Sequence, residues 1–336
     1  MIQKIICAPH EAVEEDLLTP ETDTGGAPEI RSIKADALAH GQRLDKCLAD
    51  WIPELSRSYL AQLVQDGCAK VDGKLTPKPA TKVSAGQSVE IELRPTPAAH
   101  AFRAEHVPLD IMFEDEHLLV INKPAGLVVH PGAGNWTGTV LNGLLHHHAE
   151  AKHLPRAGIV HRLDKNTSGL MVVAKSRQAM AHLVEQLATR SVQRVYVALA
   201  KGQAAVGDVF EVDQPIGRDP KNRLRMGVVA GGKPAQTEAT VLDASGPYLL
   251  LRCKLRTGRT HQIRVHMAWR GMPLVGDGLY GGRAELGLET QGLHAHDLAL
   301  IHPVTGMSLH WWVAPPAHLL KAFETSGLGY NALSLL

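Results

Sequence analysis

A polar segment between two apolar runs is the first part of this chain whose residue types suggest chemistry. Residues 161–169 read HRLDKNTSG, with Ile159-Val160 before them and the apolar residues 170–173 after them. A polar loop between two predicted strands is a common place for reactive groups. Asp164 is surrounded by bases, so an arginine can orient its carboxylate as a nucleophile or base. On this pattern alone, however, a structural Asp–Arg pair is the favoured interpretation.

A second cluster, at residues 256–264, is rich in guanidinium groups. We expect a helix over 260–269, capped by Thr260, so that His261 and Arg264 share one face and Arg259 lies just before it. The N-terminus of a helix together with guanidinium groups favours a phosphate or a carboxylate. Spacing alone also fits a solvated basic patch.

The net charge of +1 hides an uneven distribution of charge along the chain. Residues 1–40 hold eight acids and three bases, whereas residues 152–201 hold nine Lys or Arg and only two acids. Residues 252–270 contain six bases and no acid. If the two basic stretches converge in space they would form a footprint for a polyanion. The alternative is two separate solvated faces, which charge alone favours.

Several classes of protein fit the sequence poorly. The four cysteines lie far apart without a C-x-x-C pair, which argues against a zinc site or a disulfide framework and favours reduced thiols in the cytosol. Residues 146–148 are consecutive histidines, whose side chains diverge on a helix and cannot chelate one ion. No G-x-S-x-G segment occurs, which argues against a serine hydrolase of that kind. Only one candidate catalytic carboxylate stands out, whereas a glycosidase needs two. No apolar run approaches the roughly 18 residues of a membrane helix.

The two clusters must be positioned by a large domain. From residue 109 onward, apolar runs typical of strands alternate with few helical patterns, which predicts an α+β domain with a mostly antiparallel sheet. We expect this domain to span residues 109–322, after a proline-marked linker at 96–108 and before a tail at 323–336.

A smaller module is predicted at residues 38–95. Leu44, Leu48 and Trp51 have the spacing of an amphipathic helix. Ser56 is a suitable N-cap for a second helix.

A small sheet completes this module. Asp72-Gly73 predicts a hairpin turn, and residues 89–93 alternate as a half-buried strand does. Residues 1–37 are acidic and aperiodic, so we expect them to form a disordered extension.

Residues 161–169 resemble the H-R-L-D-x-x-T-S-G signature of the RluA-type RNA pseudouridine synthases. Three further motifs of that family occur in the expected order, namely NKPxG at 122–126, VYxA at 195–198 and TGRTHQIR at 257–264. The family pattern has a lysine two residues before the motif tyrosine, and Arg194 keeps the charge there.

The module at 41–93 is similar to the S4-type RNA-binding domain. Together with the motifs, the resemblance therefore covers residues 38–320. Residues 128–135 and 155–160 resemble the RluD subfamily. The resemblance therefore implies an N-terminal S4-type domain followed by a pseudouridine synthase domain.

The resemblance also implies roles for individual residues. Asp164 would be the catalytic carboxylate, which either attacks C1′ of the uridine or takes a proton from its sugar. Tyr196 would stack on the target base and sit near C5 for the final proton removal. Arg264 would pair with Asp164 and hold it ionised, and Arg162 would fill the gap left by the flipped nucleotide. The further substrate contacts that we expect come from basic residues of the motifs and of the small module: Lys123, Arg259, His261, Arg43 and Arg57.

The reaction of this family breaks the glycosidic C–N bond, turns the uracil and rejoins it through carbon, so the resemblance implies no metal and no cofactor. It implies a cytoplasmic monomer that acts on the helix 69 stem-loop of 23S ribosomal RNA or of a large-subunit precursor, away from membranes. One alternative is a paralogue that modifies other ribosomal uridines. The other is an RNA-binding ribosome-assembly factor that has lost catalysis, against which the presence of Asp164, Tyr196 and Arg264 argues.

Overall fold

Two helices and a four-stranded antiparallel sheet form the first of the two units into which the chain divides, residues 1–100 and 101–336. The computed structural model describes residues 29–94, 101–132, 134–222 and 225–331. The elements of the first unit, with the strand order β1-β4-β2-β3, are β1 (Glu29–Lys34), α1 (Leu44–Trp51), α2 (Arg57–Gln65), β2 (Ala69–Val71), β3 (Lys74–Leu75) and β4 (Ser88–Leu93).

The helices of this unit confirm the sequence predictions because their determinants are local. Leu44 and Leu48 of α1 are buried against Leu60 of α2 in a single apolar core. The Ser56 hydroxyl accepts a hydrogen bond of 3.3 Å from the backbone N–H of Tyr59, as an N-cap should.

Strand β1 corrects the prediction of a disordered extension over residues 1–37. It pairs with β4 along its whole length, from Glu29 opposite Leu93 to Lys34 opposite Ser88. The acidic composition of the segment concealed this strand, because an edge strand is held by backbone hydrogen bonds and needs few apolar side chains. Residues 1–28 of the predicted extension lie outside the described residues.

The second unit is built on a nine-stranded sheet, with a separate hairpin formed by β10 and β11. In chain order its elements are β5 (Ile111–Glu114), β6 (Leu118–Lys123), α3 (Val140–His147), β7 (Ser168–Ala174), α4 (Arg177–Ala188), β8 (Gln193–Lys201), β9 (Val209–Asp213), β10 (Ile216–Arg218), β11 (Met226–Val228), β12 (Gln236–Ser245), β13 (Tyr248–Leu255), α5 (Gln262–Trp269), β14 (Leu293–Ile301), β15 (Ser308–Trp312) and α6 (Ala317–Thr325). The sheet order is β5-β6-β7-β14-β8-β13-β12-β9, with β15 also paired to β14. Only β7 and β14 run parallel among the described pairs, so the predicted, mostly antiparallel α+β fold is confirmed. No helix in the described ranges has both the length and the apolar character needed to cross a membrane.

Helices cover both faces of this sheet. Along β8, Tyr196 and Ala198 belong to the core that also contains residues of α3 and α5. Val197 and Leu199 point to the opposite face, where they pack with residues of α6. The face that carries α5 is the one on which the two polar clusters of the sequence meet, since Arg264 is hydrogen-bonded to Asp164.

The second unit is longer at both ends than the predicted domain. Ala101 and Arg103 lie in the predicted linker, and their backbone carbonyls accept hydrogen bonds from the side chain of Asn142 in α3. Within the predicted tail, Phe323 and Leu328 are buried against the face of β8 that carries Val197 and Leu199. These residues are part of the unit because they cover apolar surface and satisfy backbone groups that would otherwise be exposed.

Candidate active site

The loop that precedes β7 presents Asp164. Its backbone carbonyl accepts a hydrogen bond of 3.1 Å from the N–H of Thr167, and the neighbouring Leu163 is buried. Gly169 has a φ of +111°, and a Cβ there would lie 2.1 Å from the carbonyl oxygen of Ala295 on β14. Glycine is therefore required where the loop enters the sheet, which fixes the position of Asp164.

Arg264, in the first turn of α5, bridges two carboxylates. Its Nη1 donates to Oδ2 of Asp164 at 3.0 Å, while Nε and Nη2 donate to Oδ2 and Oδ1 of Asp277 at 2.7 and 2.9 Å. Burial alone would lower the pKa of Arg264, but the hydrogen bonds and charges of Asp277 and then of Asp164 outweigh it and raise the pKa above its usual value. Arg264 is therefore a permanent cation that can orient Asp164.

Asp277 was not identified from the sequence. It lies 13 residues beyond Arg264, and the two meet only because the chain folds back after α5. The available signal was a single acid within a glycine-rich segment, GDGLYGG at 276–282, that follows the basic stretch.

His261 also faces Asp164. Its Nε2 lies 3.9 Å from Oδ1 of Asp164, and its Nδ1 lies 2.8 Å from the hydroxyl of Tyr280. That hydroxyl accepts the backbone N–H of Met226 at 3.0 Å, so its own proton is free to be donated to Nδ1. Burial lowers the pKa of His261, which keeps the ring neutral with its proton on Nε2, towards Asp164.

The predicted cap of α5 needs a correction. The helix begins at Gln262, and His261 rather than Thr260 is the residue before its first turn, with a left-handed backbone at φ 58°. This conformation directs the imidazole to Tyr280 and Asp164 instead of along the helix face. The Gln262 side chain stabilises the turn, since its Oε1 accepts the Thr257 hydroxyl at 2.7 Å.

Lys123 is not placed to contact RNA, contrary to the expectation from its motif. It is 1% exposed, and its Nζ donates to the backbone carbonyls of Pro124, Leu127 and Lys165 at 2.8, 2.9 and 3.1 Å. Burial lowers its pKa to about 7, with an opposing contribution from Asp164. Lys123 therefore ties the turn after β6 to the loop that carries Asp164.

The Tyr196 side chain lies on the face of β8 that packs against α5 in the apolar core. Burial raises its pKa to about 12, with a lowering effect from Arg194 and a raising effect from Asp164. The phenol is thus protonated at neutral pH and lies close to both charges.

Two exposed arginines lie near the Asp164 loop. Arg162 makes no hydrogen bond or ion pair with any residue that the structure describes. It lies close enough to lower the pKa of His130, to about 4, although burial is the larger cause. Arg259 donates from Nε to the carbonyl of Pro234 at 3.0 Å. Their exposed guanidinium groups are available to an anionic ligand.

Arg43 and Arg57 belong to the first unit, where one carboxylate holds both of them. Arg43 donates to both oxygens of Asp45 at 3.0 Å, and Nη2 of Arg57 donates to Oδ2 at 3.0 Å. Hydrogen bonding to Arg43 lowers the pKa of Asp45, against burial and with help from Arg57. About half of each arginine side chain stays exposed while Asp45 is buried, so the face presents positive charge.

The chain is similar to known RNA-modifying proteins. The family model described as RNA pseudouridylate synthase matches residues 117–269. The ribosomal large subunit pseudouridine synthase D of Nitrosomonas europaea is 46% identical over 320 residues, which are 91% of this chain and 92% of the relative. The protein of the same name from Yersinia pestis is 46% identical over 294 residues, 84% and 90% of the two chains.

Solved structures agree on the fold. Human RNA pseudouridylate synthase domain containing 4 is 26% identical with a TM-score of 0.50, covering 66% of this chain and 94% of that one. Human RNA pseudouridylate synthase domain containing 1, at 24% identity and a TM-score of 0.51, covers 67% and 87% and indicates the fold alone.

Proposed function

Because this chain belongs to the RluA-type family of RNA pseudouridine synthases, in its RluD subfamily, we propose that it converts uridine to pseudouridine in 23S ribosomal RNA at the helix 69 stem-loop. The observation that carries the proposal is the alignment of Asp164, Arg264 and Asp277 through three hydrogen bonds. That arrangement presents one oriented carboxylate.

Asp164 is the catalytic carboxylate of this proposal. Arg264 occupies Oδ2 and His261 faces Oδ1, so the carboxylate cannot rotate freely. An oriented carboxylate either attacks C1′ as a nucleophile or takes a proton from the ribose as a base. Either step releases the uracil from its N1 linkage and leaves it in the site to be rejoined through C5.

Tyr196 supports the base during this exchange. Its ring lies on the apolar face beside Asp164, and aromatic side chains stack on bases that have left the helix. The family resemblance gives the final removal of the C5 proton to Tyr196, but its phenol is protonated at neutral pH. We therefore assign that step to the carboxylate of Asp164.

Access to the base requires flipping. A uridine within a stem-loop must leave its stack to reach the partly buried carboxylate of Asp164. Arg162 is exposed beside Asp164 and free of described partners, so we assign to it the gap left by the nucleotide, while Arg259 contacts phosphate.

The first unit binds RNA through a local face in this proposal. Its resemblance to the S4-type domain and the pairing of Arg43 and Arg57 on Asp45 support that role. Two half-exposed guanidinium groups side by side suit two phosphates of a backbone. The protein acts as a cytoplasmic monomer, without metal or cofactor, on ribosomal RNA or a precursor of the large subunit.

The test is Asp164→Asn. An amide is a poor nucleophile and a negligible base, so pseudouridine formation should stop. Affinity for RNA should stay equal or increase slightly, because phosphate contacts remain and one negative charge is removed. The measurement is pseudouridine yield together with the dissociation constant at one salt concentration.

Asp208→Asn is the matched control, because Asp208 is an exposed turn residue of the same unit. A thermal melt is needed as well, since Arg264 loses a partner, at a cost of roughly 1–3 kcal/mol. Undiminished yield would remove Asp164 from the mechanism, whereas lost binding in a folded variant would favour a structural role. Mapping pseudouridines in cells that lack this protein decides between helix 69 and other ribosomal sites, and an unchanged map favours the assembly factor.

A further inference from the structure

Arg194 differs from every other buried Asp, Lys or Arg side chain in the described residues. It is 7% exposed, its Nε has no hydrogen-bond partner, and it forms no ion pair with a described residue. The others all have partners: Asp45, Lys123, Arg264, Asp277 and Asp297. Burial lowers the pKa of Arg194, with an opposing effect from Tyr196, yet a guanidinium keeps its charge at neutral pH.

The position of Arg194 is next to the proposed site of the base. It precedes Tyr196 by two residues on β8, so both side chains lie on the same face of the sheet. The loop before α5 covers the guanidinium so closely that a Cβ at Gly258 would lie 2.8 Å from Nη1. The charges of Arg194 and Asp164 both act on the Tyr196 phenol.

A buried cation without a partner destabilises a protein unless a ligand supplies the opposite charge. The exposed Arg259 is suited to the RNA backbone and the exposed Arg162 to the gap left by the nucleotide, and both stay near the surface. The part of a flipped nucleotide that enters deepest is its base. The complementary charge for Arg194 must therefore arise on the base.

We propose that the Arg194 guanidinium stabilises the negative charge that develops on the uracil when its bond to C1′ breaks. This inference rests on the proposed function. As the C1′–N1 bond breaks, its electron pair stays on the uracil and spreads over N1, O2 and O4. When C5 then bonds to C1′, that charge is neutralised, and the later transfer of a proton from C5 to N1 restores the neutral ring, so nothing is oxidised.

The role of Arg194 does not depend on how Asp164 begins the reaction. Attack at C1′ and removal of a sugar proton both expel the uracil with its electron pair. An interaction that becomes strong only as this charge develops lowers the barrier without increasing affinity for the substrate.

The experiment compares Arg194→Gln and Arg194→Lys in the full-length protein. Single-turnover conversion of a uridine stem-loop should fall about 100-fold to 1,000-fold in the glutamine variant, as when an oxyanion donor is removed. The dissociation constant for the RNA should stay within about twofold. The lysine variant, which keeps the charge, should recover most of the rate.

Lys254→Gln is the matched control for the lost charge. Lys254 pairs with Val195 across β13 and β8, so its side chain lies on the face of the sheet opposite Arg194. This variant should keep the rate of the unmodified protein. The melting temperature of Arg194→Gln should be equal or higher, because an unpaired buried charge has been removed.

A 5-fluorouridine substrate distinguishes charge stabilisation from mere positioning. Fluorine makes the uracil anion more stable, so bond cleavage depends less on Arg194, and C5 carries no proton to remove. Loss of 5-fluorouridine from the RNA should therefore show a deficit at least tenfold smaller than that seen with uridine. An equal deficit for both substrates, or no recovery with lysine, would overturn the proposal.

Two further outcomes are equally decisive. An unchanged rate with weaker RNA binding in Arg194→Gln would show that the anion is a backbone phosphate and would overturn the proposal. If the unmodified protein makes no pseudouridine in the same assay, the proposed function fails. If it does and Arg194→Gln matches it, only the present inference fails.

Discussion

Asp277 holds Arg264 through two hydrogen bonds, of 2.7 and 2.9 Å, and leaves one N–H of the guanidinium directed at Asp164. Its side chain is 1% exposed, so no solvent competes for the pair. The direction of the Asp164 carboxylate is therefore set from behind by a residue that need not touch substrate. In the proposed function, Asp277 supplies the orientation and Asp164 supplies the chemistry.

Asp277→Asn should reduce catalysis without preventing RNA binding. An amide offers one acceptor oxygen in place of two and presents an N–H group towards the guanidinium, so Arg264 loses its fixed direction. Residues that orient metal ligands in other proteins contribute about 10-fold to 100-fold to activity, and we expect a loss of that order here. Single-turnover rates measured beside RNA dissociation constants check this expectation.

Glu285→Gln serves as the comparison, because it weakens the partly exposed pair with Lys201 in the same unit. It should have little effect on the rate. Breaking the buried pair should also lower stability by about 3–5 kcal/mol, so both variants are assayed well below their melting temperatures. A folded Asp277→Asn protein with full activity would contradict the orienting role.

The parts of the fold predicted correctly from the sequence are those whose determinants are local. The Ser56 cap depends on neighbouring backbone groups, and the turn at Asp72-Gly73 depends on positive φ angles that these residues tolerate, 49° and 74°. Strand β1 escaped prediction because its partner β4 lies about sixty residues away and its own side chains are mostly polar.

The candidate site divides in the same way. Asp164 and Arg264 stand out as charged residues in short motifs, and the structure brings them within 3.0 Å. The function of Asp277 and the burial of Lys123 depend on contacts between distant segments, which residue types and spacing do not encode. The sequence shows only that Arg194 keeps the positive charge of its motif, because the lack of a partner for its Nε is visible only in three dimensions.

Tyr280→Phe should loosen the hairpin formed by β10 and β11. The hydroxyl connects the backbone N–H of Met226 in this hairpin with Nδ1 of His261, at 3.0 and 2.8 Å. Without it, the Met226 amide loses its acceptor and His261 loses the donor that fixes its tautomer. Hydrogen exchange at Met226 should accelerate, by about tenfold if the bond contributes about 1.4 kcal/mol to local stability.

Exchange in a distant segment, such as α4, gives the internal reference for this variant. It should be unchanged, because Phe preserves the ring that lies 4.9 Å from the Arg264 guanidinium. Equal protection of Met226 in both proteins would show that the hydroxyl does not restrain the hairpin.

The triple variant Arg43→Gln, Asp45→Asn, Arg57→Gln tests the proposed RNA-binding face of the first unit. Neutralising Asp45 together with its partners avoids leaving a buried charge unpaired. RNA affinity should fall, and the dependence of log K on log salt should become shallower by about 0.7 to 0.9 for each phosphate contact removed.

Asp45→Asn alone is the matched control, because it keeps both arginines and should keep the salt dependence. Affinity measured at four or more salt concentrations gives the slope for each protein. Identical slopes for the triple variant and the unmodified protein would exclude phosphate contacts by Arg43 and Arg57.

Lys123→Met should change how stability depends on pH. The folded protein releases the Lys123 proton near pH 7, because burial lowers this pKa, whereas the unfolded chain keeps it up to the ordinary value of 10.5. Between pH 7 and pH 10.5 the unfolded state binds more protons than the folded state. The free energy of unfolding of the unmodified protein therefore increases as pH rises. Relative to Lys123→Met, the free energy of unfolding should increase by about 2 kcal/mol from pH 7 to pH 9, while the difference between the two proteins stays constant below pH 6.

Urea denaturation of both proteins at each pH isolates the contribution of Lys123, since the other titrations largely cancel in the difference. A difference that does not change from pH 7 to pH 9 would mean that the three carbonyls keep the ammonium charged, because deprotonation would leave one of them without a donor.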